Sequence, residues 1–368
     1  MLTTHAPTAR RRLVMCLVAA AAAVGGMHAA ANAQNHKPWP EPSAYKTPAV
    51  KDKNAALEYM TIRDLMDTKF IQFVGEQYNG GEATWVPTDE LTVLLEENQP
   101  LIKRLIEASK LPNYDFGIRY EDGYAALLPH LGHIRSFARI LGADARRLAV
   151  AGRTDEATER LLTCLRLSRH VMQDKVLISS LVSIAITSLA VNQAEITARD
   201  FGMSDASRRE FIKLAKSLLN EDPFMTRACL QTEKQLAITS IKPVIEGKGE
   251  HAGRELVKHL KGLLLEADAI RLIEPLNEEQ LNEQVDLLTR YYAALNDAWV
   301  AKDAADRLKA LEQRLTDGDF GVLVRHLAPA LTKAYSALQK TTKEIEAVVA
   351  LLEPGPMVID DLIVEPAE

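Results

Sequence analysis

Cysteine is scarce in this sequence, three residues in 368, and because Cys16 falls inside an N-terminal apolar run only Cys164 and Cys229 serve the remainder. A disulfide-dependent scaffold is excluded on that count. Aromatic residues make up 5% of the chain, and no stretch alternates β-branched with polar residues for long enough to read as a strand. Repeated apolar spans of about 20 residues are missing, which excludes a polytopic membrane protein. The spaced motifs CxxC, CxxCH, HExxH, the P-loop and the EF-hand loop are missing too, which makes the best-signposted metal, haem and nucleotide enzymes improbable. Gly202-Met203-Ser204-Asp205-Ala206 half-resembles a nucleophile elbow but has no strand before it, and Gly247 to Gly253 is off the dinucleotide spacing and reads as a flexible link.

What is present begins with an export signal. Arg10, Arg11 and Arg12 form a basic leader, Leu13 to Val24 an apolar core, and Ala31-Asn32-Ala33 a small-residue cleavage site. Residues 1–33 therefore read as a signal peptide, with Gln34 as the expected first residue of the mature chain. An uncleaved anchor is the competing reading, against which the core is short and rich in alanine. After cleavage no transmembrane span is expected, and the protein is placed in the periplasm or outside the cell. Removing three arginines and no acid takes the formal charge from −6 to −9. No nucleic-acid partner is expected, because phosphate contacts need a surplus of basic residues.

Pro38, Pro40, Pro42 and Pro48 mark residues 34–48 as an extended linker. From Ala49 to Glu353 apolar residues return every three or four positions, which predicts an all-α fold. We divide it into an N-terminal helical bundle of antiparallel hairpins at 49–220, a C-terminal long-helix hairpin region at 221–353, and an acidic tail at 354–368. The expected N-terminal helices run from Lys51 to Tyr78, Thr88 to Lys110 with a disturbance at Pro100, Leu128 to Ala151, Thr154 to Gln173, Val176 to Asp200 and Ser204 to Leu219. Those of the second group are Asp222 to Glu246, Glu255 to Leu272, Asn277 to Leu315 and Ala328 to Leu352. Val176 to Val191 holds no charge and is apolar all round except for serines and threonines, so it belongs in the centre of a bundle. Asn277 to Leu315 would be a single helix about 57 Å long. Its seam of Leu281, Val285, Leu288, Tyr292, Leu295 and Trp299 is expected to face the seam of the last helix as an antiparallel coiled-coil-like pair, with Thr316 to Gly321 as the turn. That last seam comprises Val324, Leu327, Leu331, Ala334, Leu338, Thr341, Ile345, Val348 and Leu352. Homo-oligomerisation through the same seam is the second reading.

Leu141, Ala145, Leu148, Gly152, Ala157, Leu161 and Cys164 fall at the large, small and turn-glycine positions of one helical hairpin. About 34 residues here resemble a tetratricopeptide repeat. Asp144 stands where a leucine is usual, Arg169 where a proline closes the unit, and the period does not propagate. A longer resemblance runs from about Ala49 to Ala194. Asn54-Ala55-Ala56 with Tyr59, Tyr120-Glu121-Asp122-Gly123 through Leu127-Leu128-Pro129-His130-Leu131, and Leu177-Ile178-Ser179 resemble a group of uncharacterised exported all-helical proteins of planctomycete-type bacteria. It implies an exported helical fold and transfers no catalytic residue.

Residues 111–124 and the helix start beyond them gather Asp115, Arg119, Glu121, Asp122, His130 and His133. His130 and His133 are i, i+3 neighbours that could share a divalent metal with Glu121, Asp122 or His170. The alternative, which we favour, is that His130 is a buried histidine bonded to a loop carboxylate or carbonyl, tying that loop to the bundle. On a helical wheel Arg135, Arg139, Arg146 and Arg153 fall within about 40° of one another, a basic stripe suited to an anionic ligand or to acids on neighbouring helices. Cys164, in Leu161-Leu162-Thr163-Cys164-Leu165, reads as a buried small hydrophobe rather than half of a disulfide with Cys229. Together these readings predict an exported helical scaffold or binding protein for an envelope protein or anionic ligand, with no cofactor. A metal-dependent envelope enzyme centred on His130 and His133 is the alternative.

Overall fold

A computed structural model describes residue 49 and residues 51–260, 267–328 and 331–353. The signal peptide, the linker, the acidic tail and Pro329 lie outside the described residues. Of the structure, 79% is helical and no strand occurs among the described residues, so the fold is all-α as the periodicity predicts.

The N-terminal helices are α1 (Ala55–Leu65), α2 (Thr68–Gln77), α3 (Asp89–Glu97), α4 (Gln99–Ser109), α5 (His130–Val150), α6 (Thr154–Val171), α7 (Leu177–Ile196) and α8 (Asp205–Lys216). Two expected helices are each broken in two, at Asp67 and at Asn98. Asp67 accepts a hydrogen bond from Lys69 N and starts α2, and Thr88 caps α3 by accepting from Leu91 N. Asn98 separates α3 from α4, with Pro100 in the first turn of α4, where its missing amide costs no helical bond. Gly152, at φ +75°, turns α5 into α6. Helix α6 begins at Thr154, and Asp155 and Glu156 place negative charge in its first turn.

Helices α5, α6 and α7 pack on one another in the centre of the molecule. The apolar residues of α7 are buried nearly all round, and its hydroxyls are used inside: Ser168 Oγ lies 2.6 Å from Ser183 Oγ and 2.7 Å from Thr187 Oγ1. Small polar side chains thus let α6 approach α7 closely while satisfying each other. The segment Leu177–Phe201 is long and apolar enough to cross a membrane by length and composition, but 72% of its apolar window is buried within the fold. Both Cys164 and Cys229 are buried and free.

The second group comprises α9 (Thr226–Ile245), α10 (Ala252–Leu260), α11 (Ala267–Ile273), α12 (Glu278–Trp299), α13 (Ala304–Asp317), α14 (Gly321–Leu327) and α15 (Leu331–Leu352). The expected 57 Å helix is two helices, broken between Trp299 and Ala304. Continuing the seam by threes and fours from Trp299 would bring Lys302 and Asp306 into the core; both stay exposed, and burial resumes at Ala304, Leu308 and Leu311. Every residue of the last seam is buried; Val324 and Leu327 lie on α14, which packs on α12 as expected, whereas the main partners of α15 are α7 and α8. Helices α12 and α15 meet where Trp299 and Tyr335 stack edge to face, 5.2 Å apart. The turn is also shorter than expected, because α13 runs to Asp317 and ends on Gly318 at φ +92°.

Candidate functional site

The two histidines of interest lie where the connection leading into α5 meets the connection leading out of α6. His130, the first residue of α5, is wholly buried; its Nε2 lies 2.8 Å from Asp174 Oδ2, and its ring stacks on Phe116 with centroids 4.1 Å apart. Asp174 sits in the short turn before α7 and also accepts from Ser179 Oγ at 2.9 Å, while its backbone carbonyl accepts from the Tyr120 hydroxyl. Serine, aspartate and histidine are therefore in contact, but in the wrong order for a nucleophilic triad. Ser179 and His130 address the same carboxylate oxygen, whereas activation requires the imidazole between serine and acid. The expectation that His130 ties a loop to the bundle is met through the Phe116 stack, and the carboxylate it bonds comes from a different connection than expected.

A second histidine lies close by. His170 Nε2 is 3.1 Å from the Leu111 carbonyl oxygen and Nδ1 is 2.8 Å from the Tyr59 hydroxyl. A carbonyl only accepts, so Nε2 carries the proton and Nδ1 accepts from Tyr59. Tyr114 stacks on the same ring, 5.4 Å away. Burial pushes the His170 pKa down from 6.5 to about 4, the Leu111 carbonyl opposing this and Arg169 adding to it.

The other expected metal ligands are elsewhere engaged. Asp122 and Glu121 flank Arg119, at 3.1 and 4.0 Å from its Nε. His133 is partly exposed on the following turn of α5. Both nitrogens of His170 are hydrogen-bonded, which leaves no lone pair for a metal. Among the described residues no group of three or more histidine, cysteine, aspartate or glutamate side chains is placed to hold one.

The arginine stripe is likewise divided. Arg146 is 1% exposed and donates to the carbonyls of Ala83 and Trp85 and to Gln193 Oε1, so it clamps residues 79–86 over α5 and α7. Gln193 adds a bond to the Gly80 carbonyl. Arg153 is exposed, just before α6, and forms a bidentate pair with Glu156 in the first turn of that helix, at 2.6 and 2.7 Å. Arg135 and Arg139 are half-buried. Sequence reasoning missed the acid that organises the basic residues here. Asp144, fully buried, accepts from Arg147 Nε at 2.9 Å, Arg160 Nε at 2.8 Å and Gln99 Nε2 at 3.0 Å. Its departure from the repeat pattern was the available signal.

One further carboxylate links the two helix groups. Glu233 of α9 accepts from Leu177 N at 3.0 Å and so caps α7 from outside. Burial raises its pKa above 4.5, with the Leu177 amide opposing that rise. No family model matches the chain, and no curated protein or solved structure is significantly similar to it.

Proposed function

We infer that the protein is an exported helical scaffold that acts by binding an envelope protein or an anionic ligand, in the periplasm or outside the cell. One observation supports this reading above the others. Three of the side chains singled out for chemistry are spent on holding the fold together, His130 on Asp174, His170 on Tyr59 and Leu111, and Arg146 on loop carbonyls, and the buried Asp144 is spent likewise on two arginines. Residues bonded in this way fix a shape, and shape is what a binding scaffold offers. The α5–α6 hairpin, with buried Leu141, Ala145, Leu148, Ala157, Leu161 and Cys164 around a glycine turn, fits a tetratricopeptide-like reading, in which paired helices present a surface to a partner.

Fractionation and chemical cross-linking in the producing cell, followed by elemental analysis of the purified protein, test this reading. The expected result is recovery outside the cytoplasm, cross-linked at near-equal yield to one discrete partner, or binding of a defined anionic envelope polymer. Stoichiometric zinc or iron that disappears in a folded His130→Ala variant would overturn it in favour of a metal-dependent enzyme.

A further inference from the structure

His170 is the point at which three separate pieces of chain are joined. From α1 comes the Tyr59 hydroxyl, 1% of the residue being exposed; from the segment after α4 come the Leu111 carbonyl and the Tyr114 ring; and the imidazole itself belongs to α6. The first two pieces are also bound to each other. Ala55 N donates to the Asn113 carbonyl at 2.8 Å, Asn54 Nδ2 to the Asp115 carbonyl at 2.7 Å, and Asp115 N returns a bond to Asn54 Oδ1 at 3.0 Å. Helix α1 and residues 111–118 are therefore tied together; α1 packs chiefly on α4 and also on α5, Phe116 holds the segment to His130 of α5, and His170 bonds both pieces to α6.

The clasp works only with a neutral ring. A second proton on Nδ1 would face the Tyr59 hydroxyl, which would have to give up its donor role and turn its hydrogen into an apolar core. It would also place a cation at a site 6% exposed. Both hydrogen-bonding partners of His170 are neutral groups. The charges acting from its own helix are cationic, Arg169 on the imidazole and Arg166 on Tyr59; α1 presents Tyr59 and the 111–118 segment presents Tyr114.

We propose that His170 is an acid-operated clasp, whose protonation releases α1 together with residues 111–118 from α6 while the α5–α6–α7 centre stays folded. In the released state the ring of Tyr59, which meets His170 and Phe137, becomes available as an apolar surface while α1 keeps its contact with α4. By linkage, a group that titrates at about 4 when clasped and 6.5 when free favours opening by roughly fiftyfold between pH 7 and pH 4.5.

Site-resolved hydrogen exchange on the full chain tests this, with rates corrected for the intrinsic pH dependence of exchange. Between pH 7 and pH 4.5, protection of amides in 55–65 and 111–118 should fall by tens-fold, while amides in 181–191 change by less than threefold. His170→Gln, whose amide can donate to Leu111 and accept from Tyr59 without titrating, should abolish the difference. Uniform loss of protection across all three segments, or none in 55–65 and 111–118, would overturn the proposal on the wild-type protein alone.

Discussion

At the scale of single residues, buried polar groups are costly unless paired, and here the pairs join parts of the chain far apart in sequence. Asp144 is the clearest case. Changing it to leucine restores the residue usual at that repeat position, but strands Arg160, 5% exposed, without its anion and leaves Arg147, 8% exposed, with Glu96 alone. We predict that Asp144→Leu destabilises the protein by about 3 to 5 kcal/mol in urea unfolding; a neutral or stabilising effect would mean that the arginines find other partners. The sequence made His130 legible as a buried histidine that ties a loop to the bundle. Asp174, Tyr59 and Leu111 were not legible as partners, because their separations of 44, 111 and 59 residues from the histidines they bond leave no local pattern. Arg146 misled for the same reason. A wheel places it beside the core face, but only folding brings residues 79–86 across it.

At the scale of elements, hydrophobic spacing located most helices and their buried sides, including the whole seam of α15. It failed where a polar residue could either cap a new helix or ride on the surface of a continuing one, as at Asp67, and where a seam changed phase, as at Lys302. Spacing also does not say which seam meets which, so α15 was matched to α12 when α7 is its main partner. The cap of α7 is another contact between distant elements. Glu233 has a folded pKa above 4.5 because it is desolvated. A carboxylate of that kind binds its proton more tightly when folded, so its cost appears as pH rises through that raised value. Glu233→Gln keeps an acceptor for Leu177 N and removes the desolvated charge. We therefore predict a higher melting temperature than wild type at pH 8 and a smaller difference at pH 4; the reverse order would show that the charge itself stabilises α7.

At the scale of the whole molecule, α7 is covered on one side by α5 and α6 and on the other by α9 and α15, so its apolar surface is closed by chain from both groups. Ser188 Oγ donates to Glu344 Oε2 at 2.7 Å, and Lys216 pairs with Glu353, fastening the last helix across that surface. A chain ending at residue 220 would lose both covers, and we predict that it lacks a cooperative thermal transition; a sharp transition would establish that the first group folds alone. What unites these scales is that the ionisable residues of the interior act as fastenings between helices. The most direct test is a double-mutant cycle in urea at pH 7 on His130→Ala, Asp174→Ala and the pair together. The fastening predicts a coupling of about 2 kcal/mol or more between them, and a coupling near zero would contradict it.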